Sequence, residues 1–228
     1  MKRILALLTL IISFNTNAQT LDKNLFIQIS TIPVLDKTLG SPYFNDEFAE
    51  GEVKDSKVKK SSQHLLRYNA YSDQFEVQYK TKLFAVVKNS DIIVRESKTT
   101  YVFTAFTPLF SKKIKTGYLE ELQANLLYLR HVKEIKEGRE SANSVAASIP
   151  DKLIIVKELY TYTEDGKAVG VKWNTKNILK VFPIESREDM ARYLKENKLK
   201  VKNIEDLRTL VKFHNDMLKS ESGLALKN

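Results

Sequence analysis

Residues 65–79, LLRYNAYSDQFEVQY, alternate apolar and polar side chains on both sides of a short polar turn at Ser72-Asp73. With that turn, the apolar face pairs Ala70 with Phe75, Tyr68 with Val77 and Leu66 with Tyr79, and the polar face pairs Asn69 with Glu76 and Arg67 with Gln78. One apolar and one polar face are typical of a half-buried antiparallel pair. The pattern predicts a β-hairpin whose polar face is a ladder in water.

Strand patterns continue on both sides of this hairpin. A first strand is expected from residue 24 to a stop near Pro33, and a charged, exposed stretch over residues 54–62. A second hairpin is predicted around Asn89-Ser90, with Val87 facing Ile92 and Ala85 facing Val94. Residues 101–106 form a further strand that ends before Pro108, because proline cannot donate to a sheet.

The second half of the chain contains a strong turn signal. Asp165-Gly166 separates two apolar alternating runs, which predicts a hairpin with Tyr162 facing Val169 and Tyr160 facing Val171. Residues 178–182 read as a closing strand stopped by Pro183.

The middle of the chain, residues 117–150, is ambiguous. Leucines and other apolar residues recur there at nearly helical spacing, which favours a helix over residues 122–136, although residues 118–122 also fit the opening of a strand. Residues 137–150 have no periodicity and read as a long loop or linker.

The C-terminal pattern is helical. Ser186 and Asn203 each precede an acidic first turn, as helix N-caps do. The second helix carries one apolar stripe, formed by Leu207, Leu210, Val211, His214 and Leu218. We expect two amphipathic helices within residues 184–220, packed on a β-rich body of residues 19–183, and a frayed tail over residues 221–228.

These patterns together predict the fold class. We expect an α+β protein with a mainly antiparallel, twisted or barrel-like sheet of about seven to nine strands. The C-terminal amphipathic helix pair would cover one face of that sheet.

The N-terminus is typical of a secretory signal peptide. Met1-Lys2-Arg3 is basic, residues 4–12 are apolar, and a polar segment with small residues ends at Ala18. The apolar part is about half of the roughly 20 residues that a membrane span needs, so we expect cleavage of residues 1–18 and no transmembrane segment afterwards. The predicted location is the periplasm or the cell exterior.

The charge balance is basic, with 37 Lys and Arg against 28 Asp and Glu. The lysines are spread along the chain in groups that include Lys57 with Lys59, Lys112 with Lys113 and Lys115, and Lys198 with Lys200. Export argues against nucleic acid as a partner. An envelope protein, or an anionic glycan or lipid of the envelope, fits this charge, and so does a solvated surface that binds nothing.

Several chemistries lack their residues. The chain has no Cys, which excludes disulfides and thiol nucleophiles, and no Gly-x-Ser-x-Gly elbow. The three histidines, His64, His131 and His214, lack metal-ligand spacing, so no metal or cofactor is predicted. Asn45-Asp46-Glu47 could hold Ca²⁺, although a loop of this kind is usually only solvated.

Two groups of residues remain as candidate sites. Arg67, Asn69, Tyr71 and Asp73 are the most distinctive polar and aromatic cluster, in which Arg67 would pair with an acidic group and Tyr71 would stack on a ligand. If they are structural instead, removing Arg67 or Asp73 should lower stability without affecting a partner. The other group is a set of carboxylates that could act as acid and base in a hydrolase, Asp46, Glu76 and Asp91, but no spacing selects them.

Two short motifs carry a resemblance. Residues 40–43, GSPY, and residues 66–73, LRYNAYSD, together with the N-terminal signal and the C-terminal helical segment, resemble an uncharacterised family of secreted Bacteroidetes proteins. That family has no assigned activity, so the resemblance implies no catalytic residue. We expect an exported envelope protein that is a non-catalytic binding or assembly module; the alternative is a hydrolase that acts on an envelope polymer through paired carboxylates.

Overall fold

A computed structural model describes residues 21–30, 38–123, 126–141 and 147–225. The predicted signal peptide, residues 1–18, lies outside these ranges. The strands are β1 (Phe26–Gln28), β2 (Ala49–Asp55), β3 (Lys60–Asn69), β4 (Gln74–Tyr79), β5 (Lys82–Val86), β6 (Ile92–Glu96), β7 (Thr99–Thr107), β8 (Lys115–Gln123), β9 (Leu127–Lys136), β10 (Lys152–Tyr162) and β11 (Ala168–Val171). The helices are α1 (Thr175–Val181), α2 (Arg187–Glu196) and α3 (Ile204–Ala225), with a single 3-10 turn at Ile184–Ser186.

The strands form one sheet in the order β1-β5-β4-β3-β2-β6-β7-β11-β10-β9-β8. The pairs of named strands are antiparallel except β7 with β11, which is parallel. β8 also pairs with β7, so the second half of the sheet folds back on itself, yet the sheet as a whole is not a closed barrel. The predicted α+β class, with a mainly antiparallel sheet and C-terminal helices, is confirmed, and the strand number is larger than expected.

The first hairpin exists, with a register that differs by two residues from the predicted one. Tyr68 pairs with Phe75 rather than Val77, and the connection is the four-residue loop 70–73. The Asn69 side chain closes this loop by accepting hydrogen bonds from the backbone N–H groups of Tyr71 and Ser72. A shift of two residues keeps every side chain on its predicted face, which is why alternation alone did not distinguish the two registers.

The hairpin predicted around Asn89-Ser90 is wrong. β5 pairs with β4 and β1, whereas β6 pairs with β2 and β7. A tight turn closes the β4–β5 hairpin, with Tyr79 opposite Lys82 and Lys80 at a positive φ of 55°. Lysine is not a usual residue for that backbone region, so the turn carried no sequence signal.

Two further β predictions need correction near the N-terminus. Residues 54–62 are not a loop throughout, because β2 runs to Asp55 and β3 starts at Lys60. β1 is three residues long and ends at Gln28, while Pro33 lies outside the described residues.

The helix predicted over residues 122–136 is also wrong. Residues 115–123 and 127–136 are the antiparallel strands β8 and β9. Consecutive residues from Gly117 to Glu120 are buried, so this strand is covered on both faces. A strand covered on both faces loses its alternation, and the helical spacing of the leucines arose from two such strands joined by a turn.

The Asp165-Gly166 turn is confirmed, but with a five-residue loop that pairs Tyr162 with Ala168, one residue away from the predicted partner. Residues 178–182 do not form a strand. They belong largely to α1, whose N-cap is Asn174, with its side chain accepting a hydrogen bond from the backbone N–H of Asn177.

The C-terminal helix pair is confirmed in α2 and α3. Asn203 caps α3 through its side-chain oxygen, while the Ser186 hydroxyl donates to the Pro183 carbonyl instead of capping α2. α3 continues to Ala225, into the segment expected to be a tail. The helices bury an apolar core against β9 and β10, which includes Leu127, Leu129, Leu159, Phe182, Met190, Leu207 and Leu210.

Candidate functional site

Residues 40–48 lie across the polar face of the first hairpin. The Pro42 carbonyl accepts from the N–H groups of Ala70 and Tyr71, and the Phe44 N–H donates to the Tyr68 carbonyl. The Lys133 ammonium donates to the carbonyls of Ser41 and Tyr43, which fixes the segment to β9. The polar ladder expected to face water is therefore buried.

Arg67 is enclosed between this covering segment and β4. Its guanidinium lies 3.5 Å from the ring centre of Tyr43 and 4.3 Å from that of Phe48. It donates to the Asp46 carbonyl at 3.1 Å and to a Glu76 carboxylate oxygen at 2.8 Å. Because Glu76 is fully buried, this ion pair is a structural contact inside the protein.

Asn69 and Asp73 are occupied in the same way. Asn69 is fully buried, and its amide donates to Glu76 at 3.1 Å. Asp73 accepts from the Tyr68 hydroxyl at 2.6 Å, the Tyr118 N–H at 3.3 Å and Arg130 at 3.1 Å. These contacts tie the loop 70–73 to β8 and β9.

The predicted cluster is thus brought together, and three of its four side chains point inward. Tyr71 is the exposed member. The loop still presents Tyr71 to solvent, but Arg67 has its acidic partner within the chain. The arrangement matches the structural alternative that the sequence left open.

The three nominated carboxylates do not form a catalytic pair in any described contact. Glu76 is bonded to Arg67 and Asn69, and the Asp46 carboxylate accepts a short hydrogen bond from the Ser41 hydroxyl. Asp91 lies beside the end of β2, where its carbonyl accepts from Ser56. The hydrolase alternative finds no support in these contacts.

The histidines have separate surroundings. His64 contacts Ser62 and the ring of Phe26, and His214 contacts Gln123 and the ring of Phe182. His131 stacks on Phe44, and burial lowers its pKa to about 4. Among the described residues, no group of three His, Asp or Glu is placed to hold a metal ion.

A cleft of about 380 Å³ lies between the loop after β7 and the edge formed by β10 and β11. It is lined by Pro108, Leu109, Phe110, Ser111, Lys157, Glu158, Leu159, Tyr160, Gly170, Val171, Lys172 and Trp173. Most of these side chains are apolar or aromatic, and a few are charged, which is the usual composition of a ligand site.

Gly170 allows the loop to form this wall. A Cβ built on Gly170 would lie 2.4 Å from the backbone nitrogen of Leu109, a clash with main chain. The absence of a side chain lets the loop rest directly on β11, so that Leu109 and Phe110 face the cleft from one side.

Trp173, the single tryptophan of the chain, lies on the other side, just after β11. Its indole N–H donates to the carbonyl of Val201, in the connection between α2 and α3, at 2.5 Å. The hydrogen bond fixes the ring next to Val171 in the cleft wall.

The charged groups of the cleft divide into two kinds. Glu158 accepts from the Tyr160 hydroxyl at 2.8 Å and lies 3.5 Å from Arg130, so its charge is compensated. Burial and the bond to Glu158 raise the pKa of Tyr160, which keeps its hydroxyl a donor. Lys157 and Lys172 are exposed at the cleft, and no described contact pairs either ammonium with a carboxylate.

Sequence reasoning missed this cleft because its walls come from segments about 50 residues apart. The available signals were Leu109-Phe110 directly after a strand-ending proline, where a loop would be polar, and the lone Trp173. Neither signal indicates that the two segments meet across β11.

No protein-family model, curated protein or solved structure matches this chain. In the parts of the chain that the structure describes, none of the helices is both long and apolar enough to span a bilayer.

Proposed function

We propose that the protein is an exported, non-catalytic binding module of the cell envelope, and that it binds an apolar group carrying a negative charge in the cleft beside Trp173. The observation that carries the proposal is the combination of apolar walls with two unpaired lysines, Lys157 and Lys172. The walls would take an acyl or aromatic group, and an ammonium at the rim would pair with its acidic end. Export rests on the signal-like residues 1–18.

The role is binding rather than catalysis because the cleft's polar groups are already matched. Glu158 is the one carboxylate among the described lining residues, and it is engaged with Tyr160 and Arg130. General acid and base catalysis of glycoside hydrolysis uses two carboxyl groups that flank the reacting bond. The lysines, by contrast, remain available to an anionic ligand.

The test is a titration of the mature protein with dodecanoate, followed by the fluorescence of Trp173. Dodecanol is the uncharged comparison and acetate the one without an apolar chain. We expect saturable binding of dodecanoate, weaker binding of dodecanol, and no effect of acetate. The double variant Lys157→Ala/Lys172→Ala should bind dodecanoate roughly tenfold more weakly, because two charge-assisted contacts are lost.

The matched control is Lys54→Ala/Lys57→Ala, which removes the same charge from the β2 end of the sheet. Equal weakening in the control and the cleft variant would show that net charge, not the cleft, drives binding. Failure of dodecanoate to change the fluorescence or to release heat in calorimetry would overturn the proposal.

A further inference from the structure

The loop between β7 and β8, residues 108–114 (PLFSKKI), exposes large apolar side chains at its tip. Phe110 is 93% exposed and Ile114 is 72% exposed, and Leu109 next to Phe110 is exposed as well. Single exposed apolar residues are ordinary, but three within six positions of one loop form a patch.

This tip loop is basic and has no acidic neighbours in sequence. Lys112 and Lys113 lie within it and Lys115 follows, and the chain has no Asp or Glu between Glu96 and Glu120. The three lysines are exposed, and no ion pair of theirs occurs among the described contacts. The exposed lysines of the adjacent cleft, Lys157 and Lys172, extend the same positive surface.

The loop has an ordered turn at its base. The Ser111 N–H donates to the Pro108 carbonyl at 3.1 Å, and the Lys113 N–H donates to the Ser111 hydroxyl at 3.0 Å. Close contact of Leu109 with Gly170 seats the base of the loop on β11. Phe110 and Ile114 therefore project from a supported turn.

We propose that the tip loop docks the protein on an anionic membrane surface, with Phe110 and Ile114 inserted at the headgroup boundary and the lysines paired with lipid phosphates. Phenylalanine and isoleucine interleaved with lysines is the composition of interfacial membrane anchors. Protein interfaces are different, because lysine is depleted in them. The protruding shape also suits a soft, flat surface rather than a complementary pocket.

This inference is independent of the cleft ligand. Ile114, Lys112 and Lys113 do not line the cleft, so they can be changed while its walls stay intact. A loop variant that loses membrane binding and keeps dodecanoate binding would separate the two proposals.

The experiment is co-sedimentation of the mature protein with vesicles of phosphatidylcholine alone, or with about one-third phosphatidylglycerol. We expect binding to the anionic vesicles that declines as salt is raised, and little binding to the neutral ones. The variant Lys112→Glu/Lys113→Glu/Ile114→Ser should lower the partition coefficient by at least tenfold, since each lysine near an anionic surface contributes about fivefold. Phe110→Ser alone should lower it roughly tenfold.

The β2–β3 turn offers a matched control. Lys54→Glu/Lys57→Glu/Val58→Ser makes the same charge change and removes an apolar residue that is 64% exposed. The control should bind vesicles at least tenfold more tightly than the loop variant. Insertion is checked with Phe110→Trp, whose added emission should shift to the blue on anionic vesicles.

Three results would overturn the proposal. The first is equal binding by the loop variant and the control. The second is no binding to anionic vesicles at low salt. The third is a wild-type dimer in sedimentation that Phe110→Ser converts to monomer, because a second copy of the chain would then cover the tip loop.

Discussion

Arg130 on β9 donates to Asp73 in the first hairpin loop at 3.1 Å, across 57 residues of sequence. The same guanidinium lies 3.5 Å from Glu158, which lines the cleft. The ion pair thus connects the segment that the sequence marked as distinctive with the site that the sequence did not reveal.

Replacing Asp73 should be strongly destabilising. Asp73→Ala leaves Arg130 and the Tyr68 hydroxyl without this acceptor, and breaking such a pair costs about 3–5 kcal/mol. Urea unfolding of the mature protein would measure the loss. Tyr71→Ala, in the same loop but exposed, should stay within about 0.5 kcal/mol of wild type. Similar losses in the two variants would contradict a structural role for Asp73.

Arg67 and Glu76 should behave as a coupled pair. Arg67→Met alone leaves the Glu76 carboxylate buried without its cation, and Glu76→Gln alone leaves the guanidinium without its anion, so each should destabilise by about 2–4 kcal/mol. The double variant should lose clearly less than the two single losses added together. A double-mutant cycle from thermal or urea unfolding provides the measurement, and simple additivity would argue against the pair.

His131 should make the protein sensitive to mild acid. Its pKa is lowered to about 4 by burial first, and then by the charges of Lys157 and Arg208, whereas an unfolded histidine titrates near 6.5. Between these pH values the unfolded chain binds more protons than the native one, so stability falls as pH falls. The expected loss is on the order of 2 kcal/mol.

The variant His131→Phe isolates this effect. Phenylalanine preserves the stack on Phe44 and cannot be protonated, so its stability should fall less between pH 6.5 and 4 than that of wild type. Burial raises the pKa of the neighbouring Glu120, which gives an opposite slope as pH rises. Because Glu120 is present in both proteins, subtracting the two pH profiles removes most of its contribution. Parallel profiles would mean that His131 is not the acid-sensitive group.

Gly170 should tolerate no side chain. Gly170→Ala forces the Leu109 backbone away from β11, and overpacking of this kind costs about 1–3 kcal/mol. The displaced loop should also change the emission of Trp173, which lies across the cleft. Val169→Ala, in the same short strand, serves as the comparison for stability and should leave the emission maximum unchanged.

The sequence predicted the parts of the fold with local signals. Asp165-Gly166 sets a turn by its own chemistry, and the stripe through Leu207 and Leu210 needs only helical spacing. The helix predicted over residues 122–136 failed because burial on both faces removed the alternation that identifies a strand. The β5–β6 hairpin failed because Lys80 takes a turn conformation that lysine does not advertise.

The candidate site was predictable only in part. Sequence singled out Arg67 and Asp73 because an alternating strand carried unusual polar residues, and the structure shows them bonded within the chain. The cleft depends on Leu109 meeting Gly170, a contact set by the packing of β11 beside β7. Such a contact between distant segments has no periodic pattern in a single sequence.

The parallel pairing of β7 with β11 also imposes an order on assembly. Within the sheet, the partners of β1 to β5 all lie among the first six strands, so this half can form from residues 26–96 alone. β7 can then add to β6 and to β8, but its contact with β11 must wait for Ala168 and Val169. A chain that enters a compartment with its N-terminus first would therefore build the first half early, and the cleft would be the last part of the sheet to acquire its second wall.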